Sequence, residues 1–568
     1  MPDSCPGPEI VPAVGAALLD DLSVPLQVRR SLPPRIGVFT NPVIDSGAGR
    51  DHGDPFVLRR QGRYFLYHTG LDSIEVWTST DLAHWTPQGP ALAAPDGDHW
   101  AQVDLWAPEV MYADGWFWMY VTGTRRLPPG VRRRPGVGVD AGDDALRRQG
   151  VARARDPLGP FVLEPAPLLD VWSIDGHPFV DVDGRRWLFY NVRDESTRFH
   201  GTTPGCGNLV DELVAPDAVR GEPTPVALPD ADWEGNRAGT WYWNEGPTVL
   251  RHRNRYVQMY SGGWYGDDSY GVGFAVADDP RGPWVKATHN PVFFSGTRIT
   301  GPGHHSVTVG PDGVTPYAVY HGYVDRAPGR KVHVDRLHWS TEGPRIGDGA
   351  LPGHPTEGEQ PLPDPAVHDP GVPFWHAEVW MRGDGVRLGD LVVGTPTDHD
   401  VLLDVTQRAG EVRVLVDGRL VADGQPAGDA DRVARDLLSG DAVRGETLAL
   451  ALTTWRRDPE LRPLAPGATL VVPWGGFLPV EAVAAVSGPA TVRLLAGEDA
   501  VAEGVVEAAD LPVLVRLRTT RSADRLEVVA GPEPVVVSDL ALTSRPRADA
   551  IDLDRVALEV PAPRTADS

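Results

Sequence analysis

Apolar and polar residues alternate along the first 345 residues in short runs that recur five times. Each copy opens with a few polar residues or a proline and continues as a run with apolar residues at every second position. A Gly or Asp turn and a second, aromatic-rich run follow, which is the pattern of a β-hairpin. The copies are DPFVLRRQGRYFLYHTG from Asp54, APEVMYADGWFWMYVTGT from Ala107, DGHPFVDVDGRRWLFYNV from Asp175, EGPTVLRHRNRYVQMYSGG from Glu245 and GHHSVTVGPDGVTPYAVYHGY from Gly303.

A second element recurs between the hairpins. In three places a strand of small residues precedes a turn with Asp and Gly or Pro, and an aromatic residue follows: STDLAHW, ARDPLGPF and ADDPRGPW. One hairpin and one further strand pair make a four-stranded unit, and radial repetition of such units gives a β-propeller. The five copies therefore predict five blades.

The repeat stops near residue 345. The following stretch is rich in Gly, Pro and acidic residues and lacks periodicity, so it is typical of a linker or a strap. Beyond it, short strands with alternating apolar and polar residues predict a β-sandwich. We expect an all-β chain, a five-bladed β-propeller followed by a C-terminal β-sandwich. The expected parts are an N-terminal extension (1–34), the propeller (35–345), the linker or strap (346–373) and the sandwich (374–568).

Composition narrows the classes of partner. The formal net charge of −25 disfavours binding to nucleic acid or to an anionic membrane, because phosphates would be repelled. Cys5 and Cys206 alone make neither a disulfide framework nor a metal-ligand spacing. No apolar run approaches the roughly 20 residues of a membrane helix, and the N-terminus lacks a basic signal-peptide region. We expect a cytoplasmic protein, or a secreted one if the start codon is mis-called.

Three acidic residues begin matching hairpins: Asp54, Asp175 and Glu245. Equivalent positions of successive blades converge on the propeller axis, so the three side chains should share one cavity. Each alone could cap a turn, but a buried cluster of like charges is costly and indicates chemistry. An inverting glycosidase needs one carboxylate as base and one protonated carboxyl as acid, about 6.5–9.5 Å apart. A third acid can raise the pKa of the donor.

The order and spacing of the five motifs resemble glycoside hydrolase family 43, over about residues 35–345. This resemblance implies a five-bladed propeller that acts on arabinan, arabinoxylan or xylan with inversion and needs no cofactor. It further implies that Asp54 is the general base, that Asp175 modulates the pKa of the acid, and that Glu245 is the general acid. Asp181 and Asp183 are weaker rivals to Asp175.

Further residues near these motifs are candidates for substrate contact. His52 precedes the first motif and is expected to reach the pocket, and Glu109 is expected to support the cavity wall or bind substrate. Glu234 is expected on an exposed loop. Sugar faces stack on aromatic rings, so one or two of a group of tryptophans should be binding platforms: Trp106, Trp241, Trp243 and Trp264.

Two further sites follow from the resemblance. A histidine at the position of His304 or His305 lies in the central channel in relatives, near a calcium or sodium ion in some. An interior hydrogen-bonded histidine is the equal alternative. Arg330 matches an arginine that reaches the active-site carboxylates, and a surface arginine is its alternative.

The leading hypothesis is an exo-acting hydrolase that releases terminal α-L-arabinofuranose or β-D-xylose from plant-cell-wall-derived oligosaccharides or polysaccharides. An endo-arabinanase with an open groove is the rival within the same class. A non-catalytic glycan-binding propeller would not need acids at all three positions. Nothing in the sequence indicates an oligomeric state.

Overall fold

The protein is described from a computed structural model. The described residues are 9–11, 38–45, 47, 49–127, 144–252, 255–311, 315–340, 342–347, 353–361, 363, 374–408, 411–428, 430–458, 462–473, 479–507, 513–523 and 525–544. The predicted extension over 1–34 lies outside them except for 9–11, and much of the predicted linker over 346–373 also lies outside. Among the described residues, no helix has the length and apolar character that crossing a bilayer requires.

Two short strands, β1 (Glu9–Val11) and β2 (Val38–Thr40), precede five blades of antiparallel strands along the chain. Blades 3 and 4 are joined into one sheet by a short parallel pairing at Gly205 and Tyr242. Blade 1 holds β3 (Phe56–Arg60), β4 (Arg63–Tyr67), β5 (Ser73–Ser79) and β6 (Thr86–Ala93). Blade 2 holds β7 (Val103–Ala113), β8 (Trp116–Thr124), β9 (Arg148–Ala154) and β10 (Val162–Leu163). Blade 3 holds β11 (Ser173–Val180), β12 (Arg186–Val192), β13 (Gly205–Ala215), β14 (Ala218–Val219) and β15 (Thr224–Ala227).

Blade 4 holds β16 (Tyr242–His252), β17 (Arg255–Gly262), β18 (Gly271–Ala277) and β19 (Val285–Lys286). Blade 5 holds β20 (Ile299–Val309), β21 (Pro316–Val324), β22 (Lys331–Ser340) and β23 (Gly343–Ile346), and β24 (Glu359–Pro361) pairs with β2. Short 3₁₀ helices occur at Asp144–Leu146, Glu195–Thr197 and Asp232–Glu234. This arrangement confirms the predicted five-bladed propeller.

Apolar side chains of neighbouring blades pack against each other and hold the ring together. Met111 and Trp118 of blade 2 share a buried cluster with Leu188 of blade 3, and Met259 of blade 4 shares one with Tyr320 of blade 5. A hydrogen-bonded serine joins the last blade to the first. The Ser306 hydroxyl donates to the Pro55 carbonyl at 2.9 Å and accepts the N–H of Val57 at 3.2 Å.

A left-handed backbone recurs at one equivalent position near the inner end of each blade, in addition to Asp104 of blade 2 and Gly301 of blade 5. In blades 2 to 5 the residue at this equivalent position lies in a register shift of the first strand, which is a β-bulge that re-aims side chains. The five residues and their φ angles are Asp54 (57°), Ala107 (43°), Asp175 (57°), Gly246 (57°) and His304 (44°).

This pattern corrects the predicted equivalence of the three acids. Asp54 and Asp175 occupy the same position of their blades, but Glu245 lies one residue earlier, because Gly246 takes the left-handed position in blade 4. The three acids therefore approach the axis from two different backbone positions.

Contacts divide the chain into two compact units. One comprises residues 39–309 and 315–360, and the other comprises 1–38, 310–314 and 361–568. The second unit holds β25 (Phe374–Leu388), β26 (Leu391–Gly394), β27 (Val401–Arg408), β28 (Glu411–Val416), β29 (Arg419–Pro426), α1 (Ala430–Ser439), β30 (Val443–Asp458), β31 (Arg462–Leu464), β32 (Thr469–Pro473), β33 (Pro479–Ser487), β34 (Ala490–Ala496), β35 (Asp499–Val506), β36 (Val513–Ser522), β37 (Arg525–Ala530) and β38 (Val535–Ser544).

The second unit contains two apolar cores. In one core, a five-stranded sheet (β1-β32-β37-β34-β35) packs on β33, β36 and β38, which is the predicted β-sandwich. In the other core, α1 packs on strands β25 to β28 and β30. The helix was not predicted. Its apolar residues Val433, Ala434 and Leu437 have helical spacing and lie on the buried side.

Candidate active site

Asp54 is held ionised at the start of blade 1. Its Oδ1 accepts a hydrogen bond from Arg330 Nη1 at 2.8 Å, and its Oδ2 accepts one from the Thr69 hydroxyl. The Nδ1 atoms of His304 and His321 both lie 3.2 Å from Oδ1. Burial raises the pKa of Asp54, but the charges and hydrogen bonds around it, Arg330 first, bring that pKa well below its usual range.

The two histidines contribute less than the guanidinium. His321 Nδ1 also lies 3.1 Å from the backbone nitrogen of Asp54, so it contacts both the N–H and the carboxylate of that residue. Burial lowers the pKa of His304 to about 4, so His304 is neutral near pH 7. Arg330 is therefore the permanent positive charge beside Asp54.

Arg330 is fixed between two carboxylates. Its Nε and Nη2 donate to Asp51 at 3.0 and 2.6 Å, and its backbone N–H donates to Asp51 Oδ1 at 2.8 Å. A Cβ at Gly53 would overlap Arg330 Cζ, so a glycine is needed there. Arg330 is thus a buried arginine that bonds to Asp54, and it does not lie on the surface. Asp51 was missed in the sequence, where its signal is an acid three residues before Asp54.

Glu245 lies at the start of blade 4 with 8% of its surface exposed. Its Oε1 accepts a hydrogen bond from the Tyr270 hydroxyl at 2.7 Å, and its Oε2 accepts one from Trp243 Nε1. Burial raises the pKa of Glu245 to about 7, and the negative charge of Asp54 raises it further. The hydrogen bonds from Tyr270 and Trp243 act in the opposite direction. A carboxyl group with this pKa can hold a proton near neutrality and give it up.

Asp175 is the third buried carboxyl group of the cluster. Its Oδ2 accepts the N–H of Gly246 at 3.3 Å, and its own N–H donates to the Thr122 hydroxyl at 3.1 Å. Burial raises the pKa of Asp175 well above its usual range, and the charges of Glu245 and Asp54 raise it further. Asp54, Asp175 and Glu245 therefore form one electrostatic cluster, in which the pKa of Asp54 is lowered and the pKa values of Asp175 and Glu245 are raised.

The rivals to Asp175 lie elsewhere. Asp181 accepts a hydrogen bond from the Tyr256 hydroxyl at 2.7 Å, and Asp183 pairs with Arg185 at 2.7 Å in an exposed turn. Neither carboxylate is among the charges that act on Glu245 or Asp175 most strongly.

A row of partly exposed aromatic rings borders the cluster, and we call it the aromatic arc. Successive ring centroids are 6.3, 5.1, 5.0 and 4.5 Å apart, and Arg330 Cζ lies 5.1 Å over the last ring. Trp172 and Tyr265 had not been predicted as site residues. The arc consists of Trp172, Trp243, Trp241, Trp264 and Tyr265.

Trp106 has a different environment. The guanidinium of Arg147 lies 3.8 Å over its ring, and Arg147 also pairs with Asp144 at 2.8 Å. One face of the Trp106 ring is therefore covered, which leaves the arc as the better stacking surface.

His52 and Glu234 lie elsewhere than expected, whereas Glu109 has one of its two expected positions. His52 is only 2% exposed and its ring contacts His68, with Nδ1 3.2 Å from His68 Nε2, so it does not line the pocket. Glu109 binds His177 Nδ1 at 2.7 Å in support of the cavity wall. Glu234 is fully buried, contrary to the expected exposed loop, because it pairs with Lys286 at 2.6 Å.

His305 lies next to the cluster but without a carboxylate partner. It is 1% exposed, neither ring nitrogen has a hydrogen-bond partner among the described residues, and burial lowers its pKa to about 3. Within the part of the chain that the structure describes, neither His304 nor His305 belongs to a group of three ligands close enough to hold a metal ion. These two histidines therefore do not form a metal site with the other described residues.

Comparisons with known proteins agree on one family. The family model described as glycosyl hydrolases family 43 matches residues 39–344. Alpha-L-arabinofuranosidase 43 of Humicola insolens is 29% identical over 258 residues, which are 42% of this chain and 48% of that protein. An extracellular exo-alpha-(1->5)-L-arabinofuranosidase of Streptomyces avermitilis is 26% identical over 375 residues, 60% of this chain and 70% of that protein. The chain thus spans about half the length of the first of these relatives.

A solved structure is also similar. The crystal structure of a thermostable family-43 glycoside hydrolase is 34% identical and covers 57% of this chain and 99% of that chain, with a TM-score of 0.48.

Proposed function

The chain belongs to glycosyl hydrolase family 43, and we propose that it releases terminal α-L-arabinofuranose or β-D-xylose from oligosaccharides by inverting hydrolysis. The observation that carries this proposal is the opposite protonation of two carboxyl groups in one site. Asp54 is held ionised beside Arg330, whereas the pKa of Glu245 is raised to about 7. An inverting glycosidase needs this combination of base and acid.

Each carboxyl group then has one role. Asp54 removes a proton from a water molecule as the water oxygen attacks the anomeric carbon. Glu245 gives its proton to the glycosidic oxygen as the bond from that oxygen to the anomeric carbon breaks. Asp175 accepts the N–H of Gly246, the residue after Glu245, and would thereby help to position the acid. The products are two sugars, and solvent restores both protonation states.

Substrate contact would come from the aromatic arc. Trp243 donates its N–H to Glu245, so one ring of the arc touches the acid directly. A sugar that stacks on the neighbouring rings of Trp241 and Trp264 would present its glycosidic oxygen to this acid. The relatives that are named arabinofuranosidases support the choice of a pentose.

The proposed reaction needs no cofactor, since the protein itself supplies base and acid. A calcium or sodium ion in the channel beside His305 would have a structural role, and water would supply most of its ligands. Dialysis against EDTA is expected to leave kcat unchanged. A loss of activity that calcium restores would contradict this.

Hydrolysis of p-nitrophenyl α-L-arabinofuranoside and β-D-xyloside tests the proposed function. Asp54→Ala and Glu245→Ala should each lower kcat/KM at least about a hundredfold. Asp183→Ala, which removes an exposed acid in the turn of blade 3, is the control and should match the wild type. Proton NMR of the first product should show the inverted anomer. Failure of the wild type on both glycosides, with endo-cleavage of linear arabinan, would favour the endo-arabinanase instead.

A further inference from the structure

Three loops leave the propeller at the end where Glu245 lies. Strand pairing sets their positions, because Asn244 of β16 pairs with Gly262 of β17, and Ile299 of β20 pairs with Val324 of β21. The segment before β16 and the segments after β17 and β21 therefore share one end of the blades. They are residues 236–241, 263–270 and 325–330.

Asp268 ties the three loops together. Its Oδ1 pairs with Arg237 of the first loop, and its Oδ2 lies 3.6 Å from Arg326 Nη2 of the third loop. The neighbouring Asp267 accepts hydrogen bonds from the N–H and the hydroxyl of Ser269 at 2.8 and 2.6 Å, which fixes the turn of the second loop. These ion pairs and hydrogen bonds thus hold the three loops in a defined arrangement beside the site.

A cavity of about 400 Å³ lies between these loops. This volume is within the roughly 300–1,000 Å³ that small-molecule sites occupy. We call it the loop cavity, and its polar lining residues are Arg237, Asp267, Asp268, Thr300, Tyr323 and Arg326.

The loop cavity adjoins the catalytic cluster. Burial raises the pKa of the Tyr323 hydroxyl, and the guanidinium of Arg330 opposes this rise, so the hydroxyl lies in the field of the active-site charges. Gly266 also lines the cavity, directly after Tyr265, the ring on which Arg330 lies. The lining of the cavity thus continues along the chain into Tyr265, whose ring contacts the guanidinium that binds Asp54.

We propose that the loop cavity binds the sugar residue that follows the scissile pentose in a neutral oligosaccharide. This deepens the proposed function and rests on it. Both arginines already face aspartates, so the lining has no excess of positive charge for a uronic acid. Their remaining N–H groups, the carboxylate oxygens and the hydroxyls of Thr300 and Tyr323 suit the donors and acceptors of sugar hydroxyls.

The test compares a long and a short substrate for each variant. Tyr323→Phe removes one hydroxyl, and Arg237→Ala removes one guanidinium. Each should lower kcat/KM on α-1,5-arabinotriose or β-1,4-xylotriose about tenfold more than on the matching p-nitrophenyl glycoside, mainly through KM. Arg298→Ala is the matched control, because Arg298 is an exposed arginine that pairs with Asp325 and does not line the cavity.

Each outcome separates this proposal from the proposed function. Equal losses on both substrates, or no loss on the trisaccharides, would overturn the loop cavity as a sugar site. If the wild type cleaves no glycoside, the proposed function fails. Calorimetric titration with the same trisaccharides then tests whether the loop cavity binds sugar. Binding that Arg237→Ala weakens and Arg298→Ala preserves would support the cavity, and binding that both variants preserve would refute it.

Discussion

The rings of Tyr270 and His321 lie parallel, with centroids 5.5 Å apart and an interplanar angle of 5°. Tyr270 donates to Glu245, and His321 accepts the N–H of Asp54. One stacked pair therefore connects Glu245 of blade 4 to Asp54 of blade 1. Gly303 makes room for it, because a Cβ there would overlap the Tyr270 ring.

Tyr270→Phe should raise the pKa of Glu245. The lost hydrogen bond favours the ionised carboxylate, so its removal favours the protonated form. The alkaline limb of the kcat/KM profile, near pH 7 in the wild type, should move upward, and kcat should fall about tenfold as the acid loses its orientation. Tyr256→Phe, which removes a hydroxyl from Asp181, should not move that limb. An unchanged limb in Tyr270→Phe would contradict this role.

The loss of activity in Glu245→Gln should depend on the leaving group of the substrate. Cleavage of xylobiose or arabinobiose needs a proton on the departing oxygen, so the loss should exceed about a hundredfold. A 2,4-dinitrophenyl glycoside needs no such proton, so its kcat should fall far less. Asp54→Asn should lose activity on both substrates, since water attack still needs a base. Parallel losses for Glu245→Gln on both substrates would argue against an acid.

Arg330→Lys should raise the pKa of Asp54. A lysine keeps the charge but lacks the planar fork that binds Asp51 and Asp54 together. The acidic limb of kcat/KM should therefore move to higher pH, with a loss of about tenfold to a hundredfold. Gly53→Ala should give the same shift, because its Cβ displaces the guanidinium. If both variants shift the acidic limb in the same way, the position of the Arg330 guanidinium is the cause of the lowered pKa of Asp54.

Asp51→Ala should destabilise the protein and lower kcat/KM. Arg330 is buried and would lose one of its two carboxylate partners, and breaking a buried pair costs about 3–5 kcal/mol. The free energy of unfolding in urea checks the first effect. Asp51→Asn keeps one acceptor oxygen and should recover part of both losses. Full activity of Asp51→Ala would show that Arg330 is positioned without Asp51.

Stability should depend on pH through Glu245. Its folded-state pKa is raised from 4.5 to about 7, so its contribution is present below pH 4.5 and is lost as the pH rises through 7. At pH 8 the buried carboxylate should cost about 3 kcal/mol, from 1.36 kcal/mol per pKa unit. Glu245→Gln should therefore raise Tm over the wild type at pH 8 and much less at pH 5. Equal differences at both pH values would contradict the raised pKa.

The five-fold repeat and the acidic residues at its hairpins could be predicted from the sequence because both recur along the chain. Strand alternation predicted the blades, and Asp54, Asp175 and Glu245 begin their hairpins at the same apparent position. The offset of Glu245 was not readable, since it depends on which residue takes the bulge, although the glycine after Glu245 is its signal.

Partners that lie far apart in the sequence could not be predicted. Glu234 was expected to be exposed, but Lys286 lies 52 residues further along the chain and pairs with it in the folded blade. Tyr270 and His321 likewise become site residues only through the packing of blades 4 and 5. Local pattern carries no information on such contacts.

The five left-handed residues repeat around the axis, but their side chains do not. Asp54, Ala107, Asp175, Gly246 and His304 share one backbone conformation and differ in chemistry. The backbone thus repeats around the axis, whereas the proposed roles of base and acid depend on one or two residues at the start of each first strand.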